Sequence, residues 1–253
     1  MPPIAVALIV LACVFGGALL GIFLRAALPA HHLTQDSKDV VKLGMGLIAT
    51  MTALVLGLVT ASAKTSFDAA DAGVKHSAVN ILLLDRVLAR YGPETKDIRA
   101  LIRRSLAFKL NVIWPEDSSR PGKLDASQAR PTIEGIEDRI RELTPKNGAQ
   151  RSLQARALQI MSDLLQARWL ILGVAGNLVP LPFLVVLVFW LTVIFASFGL
   201  YAPRNATVIT VLFLCALSAA ASVFLILEMD LPFEGLMKIS SAPLRYALSQ
   251  LGH

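Results

Sequence analysis

The residues best suited to chemistry lie along one side of a single predicted helix. At about 100° per residue, small and hydroxyl-bearing residues recur on one side of the apolar stretch that begins near Val40. These residues, called here the small-residue line, are Lys42, Gly46, Ala49, Thr50, Ala53, Gly57, Thr60 and Lys64. Asp68, Asp71 and Lys75 continue the line beyond the apolar stretch. Threonine oxygens and carbonyl groups can line a wet path, and charged rings act on passing ions, so the chemistry indicated is ion passage.

The same line also fits a packing seam, because small residues let two helices approach closely. Charged residues at both ends favour the ion path, since a packing seam has no need of them. The predicted pore lining is Gly46, Thr50, Ala53, Gly57, Thr60, Lys64, Asp68 and Asp71.

Three acids, Glu228, Asp230 and Glu234, surround Pro232 where the last apolar stretch ends. They can form a negative ring or bind a cation through oxygen ligands. The alternative is the ordinary solvated end of a helix. An acid at a helix C-terminus opposes the macrodipole, which favours a purpose for Glu228.

Enzyme motifs are absent from the sequence, which has no phosphate-binding glycine loop, HExxH motif, paired cysteine motif or nucleophile elbow. His31 and His32 are adjacent without a carboxylate at helical spacing, so an ordinary interfacial pair is favoured over a metal site. Cys13 and Cys215 sit in separate apolar stretches. We therefore expect no catalytic residue, no metal site and no cofactor.

Four apolar stretches are long enough to cross a hydrocarbon core of roughly 30 Å. They cover residues 4–28, 40–63, 178–201 and 206–227 and form two pairs. A secretory signal is the competing interpretation of the first, but its apolar run is too long and has no basic start. Gly17 and Gly21 form a GxxxG pair beside Gly16, which indicates helix packing. With 55% hydrophobic and 17% charged residues, the chain is predicted to be an all-α integral membrane protein.

A polar, helical region separates the two pairs of spans. Its residues 64–172 hold 18 Lys or Arg and 13 Asp or Glu, and excess basic residues mark the cytoplasmic side. Acidic neighbours beside each basic residue argue against nucleic-acid binding. Four crossings then place both termini in the cytoplasm.

Helical periodicity predicts the elements of this region. The second span continues to Tyr91, and helices follow over about 94–112, over 131–143, and from 149 into the third span. Polar residues 116–130 form an exposed loop. The predicted domains are a first transmembrane pair (1–63), a cytoplasmic helical region (64–177), a second transmembrane pair (178–230) and a cytoplasmic tail (231–253).

Two parts of the chain resemble segments of a known family. They are Leu227-Glu-Met-Asp-Leu-Pro-Phe-Glu-Gly235, continued by Lys238-Ile-Ser-Ser-Ala-Pro-Leu244, and Ala53-Leu-Val-Leu-Gly-Leu-Val59. The first resembles the C-terminal signature of a bacterial bestrophin-like membrane family, and the second resembles the glycine-containing pore helix of that family. The order of spans and cytoplasmic helices is also similar, so the resemblance covers nearly the whole chain. This resemblance implies a homo-oligomer around a central axis, in which the second helix lines the ion path. The family analogy gives a pentamer, and a tetramer is the alternative.

Bestrophins are pentameric anion channels, and this sequence departs from them where selectivity is set. Residues 46–60 contain no aromatic residue for a neck, and no run of acids resembling the calcium clasp follows the last span. Anion preference and calcium gating are therefore not carried over. Asp68, Asp71, Glu228 and Asp230 make cation passage at least as favourable as anion passage.

The leading prediction is a homo-oligomeric ion channel of the bacterial inner membrane. Its partners are inorganic ions, membrane lipids and further copies of itself. The alternative is a non-conducting scaffold or sensor that binds a partner through cytoplasmic helices, with Leu101, Leu106 and Leu110 as the docking face.

Overall fold

The structure is a computed structural model that describes residues 2–27, 35–115, 133–174, 181–233 and 235–252. These residues form eight α-helices and a 3-10 turn at Pro93–Thr95, and they contain no strand, which confirms the all-α prediction. The helices are α1 (Pro3–Ala27), α2 (Gln35–Tyr91), α3 (Lys96–Ile113), α4 (Ile133–Arg141), α5 (Gly148–Val174), α6 (Leu181–Tyr201), α7 (Ala206–Met229) and α8 (Ala242–Gln250).

Among the described residues, four helices are long and apolar enough to cross a membrane, namely α1, α2, α6 and α7. They confirm the four predicted spans. The predicted continuation of the second span is also confirmed, because α2 is one helix of 57 residues. At 1.5 Å per residue it is about 86 Å long, so much of it extends beyond a hydrocarbon core of roughly 30 Å. Two other predictions, the loop at 116–130 and the entry of α5 into the third span, lie outside the described residues.

The chain divides into two compact units. The membrane unit consists of Met1–Phe67 and Asn177–Leu231, and the helical unit consists of Asp68–Gly176 and Pro232–His253. Helix α2 contributes its first part to the membrane unit and the rest to the helical unit. The predicted domain boundaries after residues 63, 177 and 230 stay a prediction.

In the membrane unit, α1 packs against α6 and α7. Glycines set the spacing of α1 and α6, because a Cβ on Gly21 would overlap the carbonyl oxygen of Ala196, and one on Gly199 would overlap that of Ala18. A Cβ on Gly17 would lie 2.8 Å from Cγ2 of Thr192. The prediction that the GxxxG pair packs helices is therefore confirmed.

Two arginines join the ends of these helices. Arg25, in the last turn of α1, donates a hydrogen bond to the carbonyl of Ala202, just after α6. Arg204 donates to the carbonyl of Ile22 in α1 at 3.0 Å. Asn205 caps α7 by accepting from the Val208 amide at 2.9 Å. The Asn205 bond satisfies one of the amides that a helix leaves unpaired at its start, and the two arginine bonds join α1 to the residues that follow α6.

The core of the helical unit is built on α3, whose predicted apolar stripe is confirmed. Residues from five helices pack together there: Leu84 and Leu88 of α2, Ile98, Ile102, Leu106 and Leu110 of α3, Ile136 and Ile140 of α4, Ile160 and Met161 of α5, and Ala247 of α8. The sequence predicts only a tail at the C-terminus, and helix α8 is a difference from that prediction. The spacing of Leu244, Ala247 and Leu248 is a helical signal that could have revealed it.

A buried ion pair fastens α2 to α3. Arg99 donates to both carboxylate oxygens of Asp85, at 2.7 and 2.9 Å, and the Asp85 side chain is 2% exposed. The hydrogen bond to Asp85 raises the pKa of Arg99 above its ordinary value. Between the two helices Gly92 adopts φ 142°, a conformation that favours glycine, and the Thr95 hydroxyl donates to the Leu88 carbonyl at 2.6 Å. The turn and the pair hold α3 against α2.

A surface ion pair links the same turn to the residues before α5. Lys146 donates to Glu94 at 2.9 Å, which lowers the pKa of the Glu94 carboxyl below 4.5 and raises the pKa of the Lys146 amine above 10.5. The Glu94 contribution is present above pH 4.5 and is lost as the pH falls through its lowered pKa. The Lys146 contribution is present below pH 10.5 and is lost as the pH rises through its raised pKa. The pair therefore holds across the neutral range.

The glycine contacts give a test of the membrane unit. We expect Gly21→Ala to destabilise it by about 1–3 kcal/mol, because the added methyl group forces α1 and α6 apart. Thermal unfolding in detergent measures the loss. Gly16→Ala is the control, since among the described residues no atom lies within 4 Å of its Cβ position, and alanine there raises helix propensity. Equal shifts in Tm for the two variants would contradict this account of the α1 and α6 contact.

Candidate functional site

One side of α2 attaches it to the rest of the membrane unit. Thr52 and Ala63 are 4% and 1% exposed, and Met45, Ile48 and Leu56 pack against the core formed by α1, α6 and α7. In the most apolar stretch of α2 only 6% of the residues are buried, whereas in each of the other three spans the corresponding fraction is 28%. Helix α2 is therefore the span that its own subunit covers least.

A second side of α2 is apolar and exposed. Its leucines are Leu43, Leu47, Leu54 and Leu58, which are between 62% and 77% exposed. In a bilayer, lipid or a neighbouring subunit can cover such residues.

The small-residue line lies between these two sides, and all eight of its residues are exposed. Among the described residues, no atom outside the neighbouring turns of α2 lies within 4 Å of the Cβ position of Gly46 or Gly57. Within the part of the chain that the structure describes, the line is therefore not a packing seam. Exposed residues therefore include five of the predicted pore lining, Gly46, Thr50, Ala53, Gly57 and Thr60, together with Lys64, which is predicted to lie at the cytoplasmic mouth.

The two threonines of the line present a defined chemistry. The Thr50 hydroxyl donates to the carbonyl of Leu47, and the Thr60 hydroxyl donates to that of Leu56, both at 2.7 Å. A hydroxyl has one hydrogen and two acceptor lone pairs. Because the hydrogen is used inside the helix, what each threonine offers outward is an acceptor oxygen, which suits a cation or water.

The predicted acids of the cytoplasmic mouth, Asp68 and Asp71, belong to the part of α2 that lies in the helical unit. Asp68 is exposed, whereas Asp71 is half-buried and accepts from Lys75 at 2.6 Å. Lys75 therefore partly balances the charge of Asp71. Their role at a mouth stays a prediction.

The acids at the end of α7 have different surroundings. Glu228 is 3% exposed and Asp230 is half-buried, while Glu234 lies outside the described residues. The interpretation of Glu228 as part of a solvated helix end is wrong, because the last turn of α7 is buried around it. Ile226 and Met229 of that turn pack against Ala63 of α2. In the part of the chain that the structure describes, no three His, Cys, Asp or Glu residues are placed to hold a metal ion, and cation binding by these acids stays a prediction.

The docking face predicted on α3 is wrong. Leu106 and Leu110 are 4% and 3% exposed within the core of the helical unit, and Leu101 is half-buried against it. An amphipathic stripe has the same pattern whether it meets its own core or a partner. Here its own core covers it.

A cleft that lies between α2 and α6 is not predicted from the sequence. Its walls include Met45 and Ala49 of α2 and Ile194 and Phe198 of α6. These residues are about 150 positions apart in the sequence, so no periodic pattern within one helix reveals that they face each other.

A family model described as a bestrophin-like domain matches residues 12–244, which extends from α1 into α8. No curated protein matches the chain significantly.

Thiol labelling distinguishes the sides of α2. Thr60→Cys is expected to react with a charged, membrane-impermeant thiol reagent, because the small-residue line is expected to face water. Thr52→Cys is the matched control, since its hydroxyl makes the same bond, to Ile48, at 2.7 Å, but its side is buried. Both variants are made after Cys13 and Cys215, which are exposed, have been replaced by alanine.

A third position tests whether water reaches only the small-residue line and not the other exposed side of α2. Leu58→Cys lies on the exposed apolar side, where lipid or a neighbour is expected to prevent the reaction. Labelling at Leu58→Cys as fast as at Thr60→Cys, or none at Thr60→Cys, would show that the line is not a distinct wet surface.

Proposed function

Since the chain belongs to the bestrophin-like family, we propose that it forms an ion channel in which several copies surround an axis and turn the small-residue line of α2 toward it. The observation that carries this proposal is the exposure of the whole line within the subunit. Glycine in a helix costs about 0.5–1 kcal/mol relative to alanine. In α1 and α6 that cost is offset by close packing, whereas Gly46 and Gly57 have no such contact among the described residues. Open space along a central axis would explain why glycine stands at these two positions of α2.

A second observation supports assembly from several copies. The exposed apolar side of α2 includes Val79 and Leu83, which are 54% and 43% exposed. On the helix they lie within roughly 60° of Leu54 and Leu58. Lys64 is taken to mark the edge of the hydrocarbon core, and Val79 lies about four helical turns beyond Lys64. Val79 is then outside the hydrocarbon core. Protein rather than lipid then covers these residues, and neighbouring copies placed symmetrically do so along the whole side.

The threonine geometry bears on which ions pass. Thr50 and Thr60 offer acceptor oxygens rather than donors, and an anion needs donors. Lys42 and Lys64 at the two ends of the line oppose cations, whereas Asp68 and Asp71 attract them. We propose that the membrane part of the path favours cations and that the charged ends adjust the preference.

Charge distribution supports an orientation in the bacterial inner membrane. The region between the two pairs of spans is rich in basic residues, as cytoplasmic segments are. We propose that the helical unit and both termini are cytoplasmic, with pentameric assembly by analogy with bestrophins and a tetramer as the alternative.

Two glycines of α2 give a matched test of conduction. We expect Gly57→Leu to lower the single-channel conductance of purified protein in planar bilayers by roughly tenfold, because a ring of leucines narrows and dries the path. Gly44→Leu is the control, because Gly44 also has open space among the described residues but lies on another side of α2. Equal effects of the two substitutions, or silence of the unmodified protein under varied voltage, pH and ions, would remove the proposal.

The acceptor oxygens have a test of their own. Thr60→Val keeps the shape of the side chain and removes its oxygen. We expect it to lower the permeability of cations relative to anions by about two- to fivefold, an effect of under 1 kcal/mol on an exposed oxygen. Reversal potentials in asymmetric potassium chloride measure the ratio. Thr52→Val, on the buried side, is expected to leave the ratio unchanged, and a higher cation preference in Thr60→Val would contradict the role of the oxygen.

A further inference from the structure

The cleft between α2 and α6 has a volume of about 480 Å³. Met45, Gly46 and Ala49 of α2 and Ile194 and Phe198 of α6 give it apolar walls. Sites for small molecules range over roughly 300–1,000 Å³, so the space suits an organic ligand. Apolar walls do not hold water well, since buried water needs two to four polar partners.

The position of the cleft along the spans indicates the kind of ligand. Lys42 and Tyr201 also line it, and Tyr201 is the last residue of α6. Tyrosine and lysine near the end of a span anchor it at the interface, where lipid headgroups lie. The cleft therefore begins at headgroup level, and its apolar walls continue toward the hydrocarbon, as a lipid chain does.

The charges at this end favour an anionic headgroup. Arg25 donates to the carbonyl of Ala202, a residue that lines the cleft, and Arg204 is two positions further along the chain. A guanidinium has five N–H donors, so one bond to a carbonyl leaves most of them for a headgroup. Asp39 pairs with Lys42 at 3.2 Å, but both side chains are more than half exposed, and such a pair is weak enough for a phosphate to replace it.

We propose that this cleft binds a phospholipid of the surrounding bilayer, with one acyl chain between α2 and α6 and an anionic phosphate beside Lys42. The apolar body and cationic end match the two parts of that molecule. Gly46 and Ala49 belong both to the cleft and to the small-residue line, so the bound chain lies against the helix proposed to line the path. The site does not depend on conduction.

Photolabelling tests the acyl chain. The full-length protein is placed in vesicles that contain phosphatidylglycerol with a photoreactive group in its chain, and labelled peptides are mapped by mass spectrometry. We expect label on the α2 and α6 residues that line the cleft. Ser197→Trp, which fills the cleft from α6, is expected to reduce that label at least about fivefold, equivalent to roughly 1 kcal/mol of binding. Ser218→Trp, on the exposed side of α7, is the matched control.

Charge variants test the headgroup. With the photoreactive chain on phosphatidylglycerol and on phosphatidylcholine in turn, Lys42→Gln is expected to abolish the preference for the anionic lipid, and Asp39→Asn to increase it. Lys75→Gln removes a lysine paired with an acid of the same helix in the helical unit and is expected to change nothing. Ala49→Leu, a smaller filling, replaces Ser197→Trp if the tryptophan variant does not fold.

Three results would overturn the proposal. The first is label spread evenly over the spans, and the second is label in Ser197→Trp or Ala49→Leu equal to that in Ser218→Trp. The third is a cleft that stays unlabelled in the unmodified protein, as expected if a second copy of the chain occupies it in place of lipid. Because conductance is not measured, these results are separate from the outcome of the channel experiments.

Discussion

The close approach of α1 and α6 is the contact on which the membrane unit depends. Lipid chains are as apolar as leucine, so helices in a bilayer associate through close packing rather than through exclusion of water. Gly17, Gly21 and Gly199 supply that packing by letting one backbone contact the other. Hydrogen bonds from Arg25 to the Ala202 carbonyl and from Arg204 to the Ile22 carbonyl then join the two helices at one end. With α7 packed on α1 as well, three spans cover one another and α2 is left largely uncovered.

The exposure of α2 follows from this arrangement and leads to function. A helix attached by one narrow side, near Thr52 and Ala63, presents two others to its surroundings. The leucine side can meet lipid, whereas the exposure of Val79 and Leu83 further along α2 is a reason for proposing protein neighbours. The small-residue line differs from it, because it presents glycine backbone and threonine oxygens to its surroundings. The proposed symmetric assembly about an axis would place protein against the leucine side and water against the small-residue line.

Local periodicity made much of the fold predictable from sequence. The four spans, the continuous α2 and the apolar stripe of α3 each depend on residues within one helix, and each is confirmed. The predictions that were wrong depend on contacts between residues distant in sequence. The burial of Glu228 requires the packing of α7 on α2, and the loss of the docking face at Leu106 requires α2, α4, α5 and α8. Composition of one helix does not indicate which other helix will cover it.

Lys42 connects the two proposals made for α2. It ends the small-residue line, where its charge would repel cations from a path lined by acceptor oxygens. It also lines the cleft toward α6, where a lipid phosphate would sit beside it. A bound phosphate cancels the charge of the ammonium group at short range, since opposite charges about 4 Å apart attract by several kcal/mol near a protein surface. In the proposed channel, the barrier that Lys42 presents to cations would then depend on which lipid occupies the cleft, so the proposed cation path and the proposed anionic lipid are physically compatible.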